Sequence, residues 1–386
     1  MNTIPQKNKW KVFNTAKILV LLWLALNISS SVDAQHNVVL DSLSFDISDT
    51  TSNRRLTFNG YPYVFFTPET ELAFGVGGIF ILYTEENKII FPSKIGVGGY
   101  YSTLKQYKIS LNPAFYFFEN KLFIRTPVSF GFFVDKFWGI GNGTTETGNE
   151  QYERQGISAS FILQSPPIFF AADRSGLIID YDNTDIKDKK ENVLLQDSTL
   201  TGIDGGEIIG IGYDLTWDNR DNIFFPNTGG YQYFKLLIYP EITDFLFAQL
   251  ELDTKHYWAP APDHVFAANF YLAAVMGDVP FYKLPALGGP KRMRGYFQGR
   301  YRDKFYSMVQ VEYRQYFWRK FGFVVFGGLG DVASELIEYD FGSLKYSYGL
   351  GLRFLFNKEQ KVNLRVDIGF GEDDNRGIYF GIEEAF

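Results

Sequence analysis

The sequence predicts an all-β fold, a transmembrane antiparallel β-barrel of about sixteen strands. Three observations predict it. Aromatic residues make up 18% of the 386-residue chain, with 39 Phe and 25 Tyr against 4 Met and 6 Trp, and aromatic side chains favour strands over helices. Apolar residues alternate with small or charged ones in segment after segment, which places successive side chains on opposite faces. The alternation runs from about residue 55 to the end without a boundary, whereas a soluble chain of this length would divide into two sandwiches. No later stretch resembles a membrane helix.

The first element is an address. Lys7, Lys9, Lys11 and Lys17 precede an apolar run at 18–26, followed by polar residues 27–31 and by Val32-Asp33-Ala34. Basic, apolar and small regions in that order predict a secretory signal peptide over 1–34, cut after Ala34. The apolar run is about half of the roughly 20 residues that a spanning helix needs. The chain contains no cysteine, which excludes a lipid anchor at the cut site, a disulfide framework and a thiolate metal site. Losing four lysines and one aspartate takes the formal charge from −7 to −10, and so acidic a chain has no basic footprint for nucleic acid. Residues 35–54 are expected to be a short periplasmic lead-in, and 55–386 the barrel.

Strands are expected to start near residues 55, 71, 90, 106, 121, 151, 166, 205, 229, 245, 263, 305, 321, 342, 361 and 376. The pattern is cleanest late in the chain. Tyr346, Tyr348, Leu350, Leu352, Phe354 and Phe356 alternate with Ser347, Gly349, Gly351 and Arg353. Val362, Leu364, Val366, Ile368 and Phe370 alternate with Asn363, Arg365, Asp367 and Gly369. Ile378, Phe380 and Ile382 alternate with Tyr379, Gly381 and Glu383, and the chain ends on Phe386, flush with this last strand, although Glu384 interrupts the alternation. Apolar residues facing lipid and small or charged ones facing a lumen account for both halves of the pattern.

Three connections are long. Residues 139–151 are polar and rich in Gly and Thr, and 182–205 carry mixed Asp and Lys, as expected of a solvated loop. Residues 277–304 contain Lys291, Arg292, Arg294 and Arg300 among Pro and Gly, which is stiffer than a surface excursion requires.

Within that connection, Leu287-Gly288-Gly289 followed by Arg294-Gly295-Tyr296 resembles the signature loop of the BamA/TamA-type outer-membrane assembly and translocation barrels, the bacterial surface antigen superfamily. Trp217-Asp218-Asn219-Arg220-Asp221, Phe225-Pro226 and Gly229-Gly230 are similar to the family's turn between strands eight and nine, and residues 137–142 to a looser element. The resemblance covers about 55–386. It implies that the loop between strands 11 and 12 folds into the lumen, with Arg294 held against carboxylates on strands twelve and thirteen. Glu312 shares a face with Gln310 and Arg314, and is the expected partner. The family's second carboxylate position holds Gly328 here, leaving Asp331, three residues on, or Glu312 alone to hold the loop. Asp218, Arg220, Asp221, Pro226 and Gly229 are expected to shape a periplasmic turn. Phe386 resembles the terminal aromatic by which such barrels are recognised for insertion.

Family members carry periplasmic polypeptide-transport-associated domains before the barrel, and the 22 residues from Gln35 through Leu56 are too few for one. The expected function is assistance to the insertion or transport of polypeptides, or of lipids, at the bacterial outer membrane. The expected partners are outer-membrane lipid, client outer-membrane proteins, and periplasmic or surface partner proteins. The alternative is a passive pore or a structural membrane subunit that docks partners without assembly activity. An enzyme is not expected. The chain has three histidines and no Gly-x-Ser-x-Gly element, and His256 and His264 flank a turn where an aromatic rim is the simpler reading. Neither a metal nor another cofactor is expected.

Overall fold

The computed structural model describes residues 56–82, 93–166, 172–223, 225–318, 320–338, 342–357 and 362–386. The signal peptide, the lead-in and the position of the cut lie outside the described residues.

The barrel begins with β1 (Leu56–Thr67), β2 (Glu71–Leu82), β3 (Ser93–Ser102) and β4 (Tyr107–Phe117). Next comes β5, in two halves (Leu122–Arg125 and Val128–Lys136). It is followed by β6 (Gln151–Ser165), β7 (Arg174–Asp188), β8 (Gly205–Asp218), β9 (Gly229–Tyr239), β10 (Phe247–Ala261) and β11 (His264–Gly277). The last five are β12 (Phe305–Trp318), β13 (Phe321–Ala333), β14 (Lys345–Asn357), β15 (Val362–Gly371) and β16 (Arg376–Ile382). Both halves of β5 pair with β4 and with β6, so the sheet's seventeen segments form sixteen strands. Every strand pairs antiparallel with its sequence neighbours, and β16 returns to β1. Closure leaves the barrel with one seam, and a separate two-stranded ladder lies in the connection after β11.

Alternation decides which side each residue faces. Val309, Val311, Val325, Leu329, Tyr348, Leu350, Leu352, Val366 and Ile368 are exposed outward, where lipid would cover them, and Gln310, Glu312, Arg314, Arg353, Asn363, Arg365 and Asp367 are buried inside. Such a pattern differs from that of a soluble fold: the greasy surface is the outer one, and the packed interior combines apolar clusters with a buried network of charged groups. Connections at the end where β1 starts and β16 finishes are mostly short. Those at the opposite end include 137–150, 189–204 and 278–304, and their Phe137, Leu195 and Phe281 pack together with Tyr152 of β6 and Ile186 of β7.

Three expectations need correction. The seventh strand begins at Arg174, later than the expected 166, because proline has no N–H to give a ladder. The same strand runs through Asp188, so the start of the supposed acidic loop is barrel wall, with Asp182 paired inward to Lys283 at 2.7 Å. Phe386 does not extend β16. The ladder ends at Ile382, Glu383 takes φ +68°, and residues 383–386 turn into the lumen, where Ala385 and Phe386 pack with Tyr257 and Ala267.

Candidate functional site: the lumenal loop and the seam

Beyond β11, residues 278–304 form a hairpin pinned by a short ladder in which Ala286 pairs with Arg302 and Leu287 with Tyr301. Its tip enters the lumen and lies along the inner wall from β12 to β16. Two glycines make this close approach possible. Gly295 sits at φ +116°, and a Cβ there would come within 2.7 Å of the β15 backbone at Phe370. Opposite it, a Cβ on Gly369 would come within 2.6 Å of the Arg294 carbonyl carbon. Loop backbone therefore rests on strand backbone, which only glycine on both sides permits.

Arg294 is 1% exposed. Its Nη1 donates to Asp367 Oδ2 at 2.6 Å, its Nη2 donates to Glu312 Oε1, and its guanidinium lies 3.5 Å from the centre of the Phe326 ring. The planar fork thus bridges two carboxylates while its face covers an aromatic ring. Neighbouring residues are fixed through their backbones and hydroxyls. Ser347 Oγ donates to the Arg294 carbonyl (2.5 Å), Gly295 N–H donates to Tyr379 Oη (3.0 Å), and Tyr296 Oη donates to the Tyr346 carbonyl (2.8 Å). Farther along, Gln298 N–H donates to Glu69 Oε1 in the β1–β2 turn at 2.7 Å. The loop thereby touches strands on both sides of the seam.

Arg294 and Glu312, paired by what the family resemblance implies together with the inner-face parity of Glu312, are brought together here. The second carboxylate is Asp367 on β15, not Asp331. An offset of three from Gly328 puts Asp331 on the other face of its strand, where it accepts from Asn142 Nδ2 (3.1 Å) and Ser343 Oγ (3.0 Å) and joins two capping loops. The vacated family position is filled from the loop, since Met293 Sδ lies 3.2 Å from where a Cβ on Gly328 would be.

Asp367 and Glu312 also hold three further arginines. Arg353 Nη1 donates to Asp367 Oδ1 (2.5 Å), Arg365 Nη1 to Asp367 Oδ2 (3.1 Å) and Arg314 Nε to Glu312 Oε2 (2.8 Å). Two of these reach the chain's last residues. Arg353 Nε donates to Glu384 Oε2 (2.7 Å), and Arg314 Nη2 to the Phe386 carbonyl (2.7 Å). The sequence marked Arg353, Arg365 and Asp367 as lumen residues, but not as a network. Asp367, Tyr379, Ser347 and Glu384 were missed as holders of the loop or of residues 383–386; inner-face parity was the one signal available.

The turn between β8 and β9 is brought together as a structural unit. Arg220 donates from Nε and Nη2 to the two oxygens of Asp218 (2.8 and 2.6 Å), and Asp221 accepts from the N–H groups of Asn227 and Thr228 (2.7 and 3.1 Å). Gly229 at φ +94° lets the chain re-enter the sheet, and Phe225, ahead of Pro226, is buried against Tyr316 with ring centres 5.4 Å apart. No chemistry follows from this arrangement.

The seam is the weakest joint. All seven residues of β16 pair with β15, and β1 pairs along its full length with β2. Between β1 and β16, one registered pair appears among the described residues, Phe66 with Phe380. Leu56 to Tyr63 of β1 have no registered partner on β16 among the described residues, and Pro62, which has no N–H, suits an edge position.

Comparison with known proteins gives a consistent picture. A family model described as the Omp85 superfamily domain matches residues 92–386. Among solved structures, BamA from Haemophilus ducreyi lacking POTRA domains 1–3 is similar with a TM-score of 0.62 at 13% identity, over 86% of this chain and 70% of that one. CdiB from Acinetobacter baumannii is similar with a TM-score of 0.54 at 12% identity, over 86% of this chain and 60% of that one. At such identities the likeness is one of fold. No curated protein matches the sequence.

Proposed function

The chain belongs to the Omp85 superfamily, and from that premise we propose that this outer-membrane barrel is a non-enzymatic factor assisting the insertion or transport of polypeptides, or of lipids, at that membrane. The observation that carries the reading is the seam. Among the described residues one registered pair joins its two strands, and an unpaired strand edge can template a further strand through main-chain hydrogen bonds. Client outer-membrane proteins are the partners this edge suits, and outer-membrane lipid meets the rest of the apolar band. Periplasmic or surface partner proteins would deliver the clients.

The filled lumen supports this reading over a passive pore. Arg294, Tyr296 and Met293 are each 1% exposed or less, so the loop occupies space that an open channel would leave to water. The test is insertion of an unfolded outer-membrane protein into liposomes, with and without the purified barrel. Acceleration is expected. A rate equal to that of protein-free liposomes, together with steady conductance in planar bilayers, would overturn the proposal in favour of the pore.

A further inference from the structure

The loop's anchors lie on β12, β14, β15 and β16 and in the β1–β2 turn. Across the lumen, near the end where β1 starts, the inner wall from β3 to β7 carries cations of its own. Lys94 pairs in register with Ala114, and Ala114 with Arg125, so the three share one face. That face is the inner one, because Ile109 and Leu111 of β4 are exposed outward and Ile162, the register partner of Arg125 on β6, is buried. Two strand spacings put the Cα atoms of Lys94 and Arg125 roughly 10 Å apart, with the Ala114 methyl between them. A third cation arrives from β7. The Arg174 guanidinium lies 5.6 Å from the centre of the Tyr116 ring and 5.3 Å from that of Phe123, and these two rings pair in register beside Ala114 and Arg125 on the same face.

These cations differ from the others inside the barrel. Elsewhere a charge meets its opposite, as Lys235 meets Glu251 at 2.6 Å, Lys283 meets Asp182 at 2.7 Å and Arg154 meets Asp135. Among the described residues no carboxylate forms an ion pair with Lys94, Arg125 or Arg174. Asp214 of β8 faces the same space, but its Oδ2 accepts from Gln164 Nε2 at 2.9 Å. The wall here is also open. Arg125 and Asn112 are exposed although both face inward, and a Cβ on Gly96, the register partner of Asn112, would meet Asn112 alone at ordinary contact distance.

We infer that Lys94, Arg125 and Arg174 form a binding site for a phosphate group, carried by a lipid headgroup or free in solution. The charge and shape of the site select this chemistry. Three cations around one small floor exceed what a carboxylate neutralises, and they match a phosphate monoester, which carries about two negative charges at neutral pH. Its oxygens accept paired hydrogen bonds from planar guanidinium forks, and the Asn112 amide adds a neutral donor. The inference goes beyond the proposed function, because it concerns ligand binding by the resting barrel and is measured with no client present.

The test titrates the purified barrel in neutral detergent with two probes, inorganic phosphate and a short-chain phosphatidic acid in mixed micelles, with the matching diacylglycerol as uncharged control. Saturable binding of a phosphate probe is expected, and none of diacylglycerol. Lys94→Gln and Arg125→Gln should each weaken it at least about tenfold, as loss of a hydrogen bond between charged groups does. Lys108→Gln, on the same inner face but roughly 20 Å along β4 from Ala114, should leave it unchanged. Heat-modifiable migration on gels identifies folded barrels. Competition between the two probes would show that the phosphate itself is read, and binding of phosphatidic acid alone, lost in both variants, would identify a lipid headgroup as the source. A second readout keeps all three cations: Asn112→Cys in the cysteine-free chain should be protected from a thiol reagent by the probe that binds. Absence of saturable binding by either probe, folded Lys94→Gln and Arg125→Gln barrels that bind as tightly as the parent, or an unprotected Asn112→Cys would overturn the site. Binding by a barrel that does not accelerate client insertion would uphold the site and count against the proposed function alone.

Discussion

Asp367 receives guanidinium groups from Arg294, Arg353 and Arg365, and this makes it the residue on which the lumen depends most. Replacing it with Asn would leave three buried cations around a neutral amide, and removing one partner of a buried ion pair costs about 3–5 kcal/mol. Asp367→Asn should therefore lower the temperature of heat-modified migration strongly. Asp331→Asn should not free Arg294, and its effect should be confined to the loops carrying Asn142 and Ser343. Equal losses of loop protection in the two variants would contradict this assignment. At the rim, burial pushes the Glu69 carboxyl above its ordinary value of 4.5, partly offset by the Gln298 N–H. A carboxyl raised in the folded state favours its protonated form there, so this group's contribution to the stability of the folded barrel grows as pH falls from neutral through the raised value toward 4.5. Glu69→Gln should remove that part of the pH dependence from the temperature of heat-modified migration.

Among the elements, β15 combines two tasks: its outer face is apolar, and its inner face carries Asp367 and then Gly369, the platform for the loop. Gly369→Val suits a strand by propensity, yet its side chain would meet the Arg294 carbonyl. The barrel should form while the loop leaves, and Met293→Cys, at a position buried in the parent barrel, should in that background label from outside with a membrane-impermeant reagent. Unchanged shielding would show that the loop is held elsewhere. Much of this element was legible in advance, because alternation alone set Arg365, Asp367 and Gly369 on the inner face. Their pairing with Arg294 was not, because which inner residues meet across a lumen depends on the tilt and stagger of the strands, which local periodicity does not contain. For β16 the local pattern misled. Glu384 interrupts the alternation that joins Phe386 to Ile378, Phe380 and Ile382, and that interruption is the signal that mattered: a carboxylate on the lipid side is costly, and the chain leaves the sheet before it.

For the whole molecule, the strand number, the apolar outer face and the place of the long loop between β11 and β12 all follow from a period of two repeated along the chain. The seam does not, because its register depends on residues far apart in sequence and on where each strand stops. Among the described residues a barrel otherwise closed by long ladders is joined at β1 and β16 by a single registered pair, and this gives the proposed activity its location. The most direct measurement is client insertion by a barrel carrying Phe66→Cys and Phe380→Cys, assayed oxidised and reduced in the same liposomes. Passage through the seam predicts that oxidation abolishes the acceleration and that reductant restores it. An oxidised barrel that accelerates insertion as well as the reduced one would place the activity elsewhere on the molecule and contradict the account.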